Sequence, residues 1–115
     1  MNFRGLAERL EMEEGDMMEI IGLFLEASAS DLRQLQSAID QEDVQSAVRA
    51  AHSIKGAAAN LRLTAIFEIA QRMEREAREN RLEGAIGAIQ AIRENLNQID
   101  ESLKRETQRP EDAMT

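Results

Sequence analysis

The chain contains one histidine, His52, followed by Lys55, Gly56, Ala57, Ala58 and Ala59. On a helix, positions three, four and seven residues apart share a flank. With Ala51 as the zero of a helical wheel, the apolar stripe through Ala47, Ala51, Ile54 and Ala58 centres at about −20°. His52 then falls at about 100°, roughly 120° from the core centre, and should be exposed. Lys55 falls at about 40°, where its stem can lie on apolar surface while its ammonium reaches outward. Gly56 and Ala59, at about 140° and about 80°, bracket the histidine on its C-terminal side.

This combination suits the transfer of an anionic group. A neutral imidazole nitrogen is a nucleophile, and histidine is largely neutral near pH 7. The phosphoramidate it forms can pass its phosphoryl group on, because imidazole is also a fair leaving group. Lys55 places a positive charge beside the anion. Gly56 costs up to about 1 kcal/mol in a helix interior relative to alanine, but a bare surface lets another protein's backbone come close. A single surface histidine carries little weight by itself; its setting marks it out. Much of phosphoryl-transfer catalysis is positioning and charge stabilisation by a metal and cations, so a carrier can be simple if its partner brings the metal.

The elements that must hold these residues read as helices. Ala, Leu, Ile, Glu, Gln and Arg dominate, and Pro110 is the single proline; most of these residues are good helix formers. Phe3, Leu6, Ala7 and Leu10 predict a short first helix. Glu13-Glu14-Gly15 reads as a break, with Asp16 as the N-cap of a helix from about Met17 to Ile39. That helix has its stripe on Met17, Ile21, Phe24, Ser28, Leu32, Leu35 and Ile39. Asp43 or Glu42 opens the next, whose stripe runs through Val44, Ala47, Val48, Ala51, Ile54, Ala58 and Leu61. Thr64 reads as the N-cap of a helix carrying Ile66, Ile69, Ala70, Met73 and Ala77. After Glu79-Asn80-Arg81, the last helix repeats on Leu82, Ala85, Ile89, Ile92, Leu96, Ile99 and Leu103, where Gly84 and Gly87 allow close helix contact. Four long helices with short connections make an all-α, antiparallel up-down four-helix bundle with a short additional N-terminal helix at one end. Residues 1–107 form this domain, and 108–115 a frayed tail.

Composition narrows the function. The net charge of −8 argues against nucleic acid and against an anionic membrane surface; it would suit a partner with a basic rim. No apolar run is long enough to span a membrane and no signal-peptide core is present, so the cytoplasm is expected. There is no cysteine, which excludes disulfides and thiolate metal sites. Glu11, Glu13, Glu14 and Asp16 lack the spacing of a calcium loop, there is no second histidine for zinc, and no glycine-rich phosphate loop is present. No metal, cofactor, ATP binding or self-phosphorylation is expected.

The stretch Ala51-His52-Ser53-Ile54-Lys55-Gly56-Ala57-Ala58-Ala59-Asn60-Leu61 resembles the signature of histidine-containing phosphotransfer (HPt) domains, in which Lys-Gly follows two residues after the histidine and small residues come next. The likeness extends over nearly the whole chain. It implies that His52 is phosphorylated, that Lys55 steadies the phosphoryl group, and that Gly56 clears space for the partner's loops. It also implies a receiver-domain partner whose aspartate exchanges the group and which supplies Mg²⁺, a hybrid histidine kinase upstream, and a monomeric carrier without kinase activity. The docking face would be Gln45, Val48, Arg49, Lys55, Gly56 and Ala59, with part of the preceding helix beside it. The chain departs from the family at Arg62, where a glycine is frequent, which makes a left-handed helix stop less obvious. The competing reading is an adaptor bundle without chemistry, which would keep its function with glutamine at position 52.

Overall fold

Asn2 opens helix α1 (Phe3–Arg9) by accepting a hydrogen bond from the Gly5 backbone N–H. Helix α2 spans Glu14–Asp40, α3 Val44–Asn60, α4 Thr64–Arg78 and α5 Ala85–Thr107. The structure, a computed structural model, describes residues 1–107; the tail expected at 108–115 lies outside the described residues.

Three helix starts differ from the sequence expectation. Glu13, in extended backbone, precedes α2, so Gly15 and Asp16 fall inside its first turn, where Glu14 and Asp16 meet the positive end of the helix dipole. Leu63 takes the cap position of α4 without a side-chain hydrogen bond, and Thr64 is the first helical residue. Leu82 stays in the connection before α5. Asp43 does cap α3, accepting from the Ser46 N–H and the Ser46 hydroxyl.

The helix ends share one device. Glu11, Glu42, Arg62 and Asn80 have φ of 55°, 54°, 58° and 60°. At the end of α3 the Leu63 N–H bonds the Ala58 carbonyl and the Arg62 N–H the Ala59 carbonyl. The same paired bonds close α1, α2 and α4, satisfying carbonyls that a helix end leaves open. Arg62 therefore adopts the left-handed conformation a glycine would take, and the turn keeps that shape. A side chain there costs roughly 1–2 kcal/mol, part of which glycine's greater unfolded-state freedom offsets. Arg62→Gly is expected to raise stability by about 0.5–1 kcal/mol; a lower urea midpoint would contradict this cap.

The four long helices form an antiparallel bundle in which α3 packs on α2 and α4, and α5 packs on the same two from the other side. The first helix packs against α2. Met17, Ile21, Leu35, Ile54, Ile66, Ile89 and Ile92 are fully enclosed. The buried face of α3 is Ala47, Ala50, Ala51, Ile54 and Ala58. Ala50 is buried in it, while Val48 is only partly buried against the core. Four of these five residues are alanines, so little side-chain bulk separates α3 from its neighbours. Ile39 and Leu103 are only partly buried. A Cβ added at Gly84 would lie 3.2 Å from Glu76 Oε1, whereas one at Gly87 would meet open space; only the first permits a close approach. No described helix is long and apolar enough to cross a membrane.

Candidate functional site

His52 stands on the middle of α3 with 62 % of its side chain exposed. Its Nδ1 lies 3.0 Å from Oε2 of Glu74 on α4. Glu74 is buried, only 4 % exposed. Three groups surround its carboxylate: Lys55 Nζ at 2.7 Å from Oε1, and Arg78 Nη2 at 2.7 Å and His52 Nδ1 at 3.0 Å from Oε2. Burial pushes the carboxyl pKa up, but the hydrogen bonds from Lys55, Arg78 and His52 outweigh it and lower the value to about 2. Glu74 is thus an anion at neutral pH, held in place by cations, as a buried charge must be.

That charge state decides the histidine's tautomer. An ionised carboxylate only accepts hydrogen bonds. Nδ1 must therefore carry the hydrogen, leaving the lone pair on Nε2. Glu74 fixes the ring in one orientation while its other nitrogen is free to react. Lys55 does not extend outward as the wheel suggested. Its ammonium turns onto Glu74, and its side chain is 25 % exposed.

Gly56 and Ala59 are exposed. A Cβ built on Gly56 meets nothing within 4 Å, so nothing inside the molecule requires glycine there. An unforced glycine in a helix interior costs about 1 kcal/mol relative to alanine, and its use lies outside the chain. Gly56→Ala is accordingly expected to raise stability by about 0.5–1 kcal/mol while slowing transfer from a partner. A faster transfer in the variant would contradict this.

The remaining candidates fall near the same flank. Gln45, Val48 and Arg49 line a groove with Val44 and Arg78, on the α4 side of the histidine. On the α2 side, Ser53 donates to Asp31 at 2.7 Å. Asp31 continues the ridge Leu23–Ala27, and Leu23 is 60 % exposed, whereas Ile20 is packed on the core. The acidic residues at the α1–α2 junction are accounted for locally: Glu14 pairs with Arg4 and Glu11 forms the α1 stop.

Sequence reasoning missed Glu74 and Arg78. A signal existed: Glu74 lies four residues after Ala70 and three before Ala77, on the apolar side of α4. A carboxylate there needs a partner, and Arg78 at i+4 was one candidate.

The chain matches the model of the Hpt domain over residues 19–102. It belongs to the Hpt domain family. No curated protein matches the chain. Among solved structures, histidine-containing phosphotransfer protein B (HptB) from Pseudomonas aeruginosa PAO1 is similar, with 27 % identity, 92 % of each chain covered and a TM-score of 0.80. Hpt domains are phosphocarriers of two-component systems, where they interact with receiver domains and histidine kinases, and membership supports histidine phosphotransfer in a phosphorelay for this chain. His52 falls inside the matched span, on the second long helix of the Hpt bundle.

Proposed function

We propose that His52 carries the phosphoryl group, accepting it from the aspartyl phosphate of a receiver domain or returning it to one, with a hybrid histidine kinase upstream. The observation that carries this reading is the Glu74–His52 hydrogen bond, which leaves Nε2 with the lone pair on an exposed ring. In the forward step the Nε2 lone pair attacks phosphorus. An N–P bond forms, the aspartyl O–P bond breaks, and its electron pair returns to the receiver's carboxylate. Nδ1 keeps its hydrogen throughout, so the phosphorylated ring is an imidazolium. The Glu74 carboxylate, already 3.0 Å away, stabilises that positive charge as it develops. The return step reverses the same bonds.

Lys55 and Arg78 stand on the same carboxylate and keep the site from becoming net negative before an anion arrives. Gly56 and Ala59 leave room for the receiver's loops, and Gln45, Val48 and Arg49 extend the docking face. Mg²⁺ belongs to the receiver, and the carrier works as a monomer in the cytoplasm without kinase activity of its own. Incubation with phosphorylated receivers of the source organism tests the reading. Acid-labile, alkali-stable phosphate on the chain is the expected result; failure of every receiver to label it contradicts the reading.

A further inference from the structure

The net charge of −8 suggests a partner with a basic rim, yet the charge is unevenly placed. Helix α3 carries Arg49 and Lys55 and no Asp or Glu. On the α4 side of His52 stand Lys55 and Arg78 with the carboxylate of Glu74 buried between them; the carboxylate of Asp31, bonded to Ser53, lies on the opposite, α2 side. Beyond them runs a groove of about 450 Å³ with an apolar floor, Val44 and Val48, and cationic walls, Arg49 and Arg78. Arg78 joins the groove to the site, because it bonds the same Glu74 oxygen as His52. Arg49 makes no ion-pair contact among the described residues and donates to the neutral Ser46 hydroxyl at 2.9 Å. The nearby Asp43 caps α3 through Ser46; those hydrogen bonds hold its carboxyl below the ordinary value, with a smaller contribution from Arg49.

We propose that this groove is a cationic docking rim for carboxylates on the receiver surface beside its reacting aspartate, with Arg49 as a specificity-determining contact. The proposal rests on the phosphotransfer reading and adds the partner's chemistry to it. The attraction at a guanidinium–carboxylate contact strengthens as the two surfaces exclude water, against the cost of desolvating both charges, and before contact it steers the encounter. Net charge and local charge therefore predict opposite effects of salt. Two proteins of negative net charge repel at long range, and salt screens that repulsion and speeds association. A local cation–carboxylate match makes salt slow it.

The test uses a purified receiver of negative net charge that labels His52, phosphorylated with acetyl phosphate. Transfer is followed from about 0.05 M to about 0.5 M salt, a range over which screening shortens from more than 10 Å to about 4 Å. The rim predicts that kcat/KM falls roughly tenfold over this range. Arg49→Glu is expected to lower kcat/KM roughly tenfold at low salt through KM, with kcat little changed, and to flatten or reverse the salt dependence. Arg49→Lys should restore most of the rate. A kcat/KM that rises with salt, or is the same in Arg49→Glu and the wild type, overturns the rim while leaving the carrier reading intact. Absence of labelling of the wild type by any receiver removes the carrier reading, and the rim with it.

Discussion

His52→Gln is expected to abolish acid-labile labelling while leaving the fold and its melting temperature almost unchanged. The side chain is 62 % exposed and contributes no core packing. Among the described residues its polar partner is Glu74, whose oxygens stay satisfied by Lys55 and Arg78. The stability change should therefore stay within about 0.5–1 kcal/mol. Glutamine can offer Glu74 an amide N–H but has no nucleophilic nitrogen, so transfer is lost outright. Binding to the receiver should survive, because the groove and the cleared strip are untouched. This separates the carrier from an adaptor bundle: an adaptor would keep its cellular function with glutamine at position 52, and a carrier would lose it.

Glu74→Gln is expected to have the next largest effect, on both stability and rate. Breaking a buried ion pair by removing one partner costs about 3–5 kcal/mol. Here Arg78 is well exposed and can resolvate, so the loss should be nearer about 2 kcal/mol. The pH dependence identifies the group. The Glu74 pKa is depressed in the fold, to about 2 from an ordinary 4.5, so its contribution is fully present above the ordinary value and is lost as pH falls towards 2. Over that window wild type should lose stability on the order of 3 kcal/mol through this group. The variant should lack that part of the acid slope, measurable by urea denaturation at pH 5, 4 and 3. Identical slopes in the two proteins would remove Glu74 from the network. Transfer should slow by roughly tenfold or more, because the imidazolium formed at His52 loses its counter-charge and the ring its fixed tautomer. Since Glu74 shares its charge with Lys55 and Arg78, a loss of several thousandfold is not expected.

The parts of this molecule that were legible in the sequence are those governed by periodic burial. The α5 stripe from Ala85 to Ile99 and the α2 stripe from Met17 to Leu35 place side chains where a wheel puts them; Leu82 and Leu103, at the ends of the expected α5 stripe, are only partly buried. Asp43 was legible as one of two candidate caps, with Glu42, and it is the one whose carboxylate has a backbone N–H to accept from three residues on. The helix starts at Glu13 and Leu63 were not, because neither makes a side-chain capping bond that a residue type could announce. The shape of the turn at Arg62 was hidden for the same kind of reason: a left-handed residue satisfies the last carbonyls of α3 through its backbone, whatever its side chain. At the site, His52, Lys55, Gly56 and Ala59 share one helix, and intrahelical spacing was enough to find them. Glu74 comes from a neighbouring helix, so its pairing with His52 and Lys55 depends on how α3 and α4 are rotated against each other. The burial of Ala50, with Val48 only partly buried, depends on that same rotation.

The most direct measurement is which nitrogen of His52 bears phosphorus. The protein, labelled with ¹⁵N in its one histidine, is phosphorylated by a receiver, and the ¹⁵N–³¹P coupling is read by NMR in alkaline buffer. Glu74, ionised and bonded to Nδ1, predicts phosphorus on Nε2 alone. Phosphorus on Nδ1, or on no nitrogen of His52, would contradict the account.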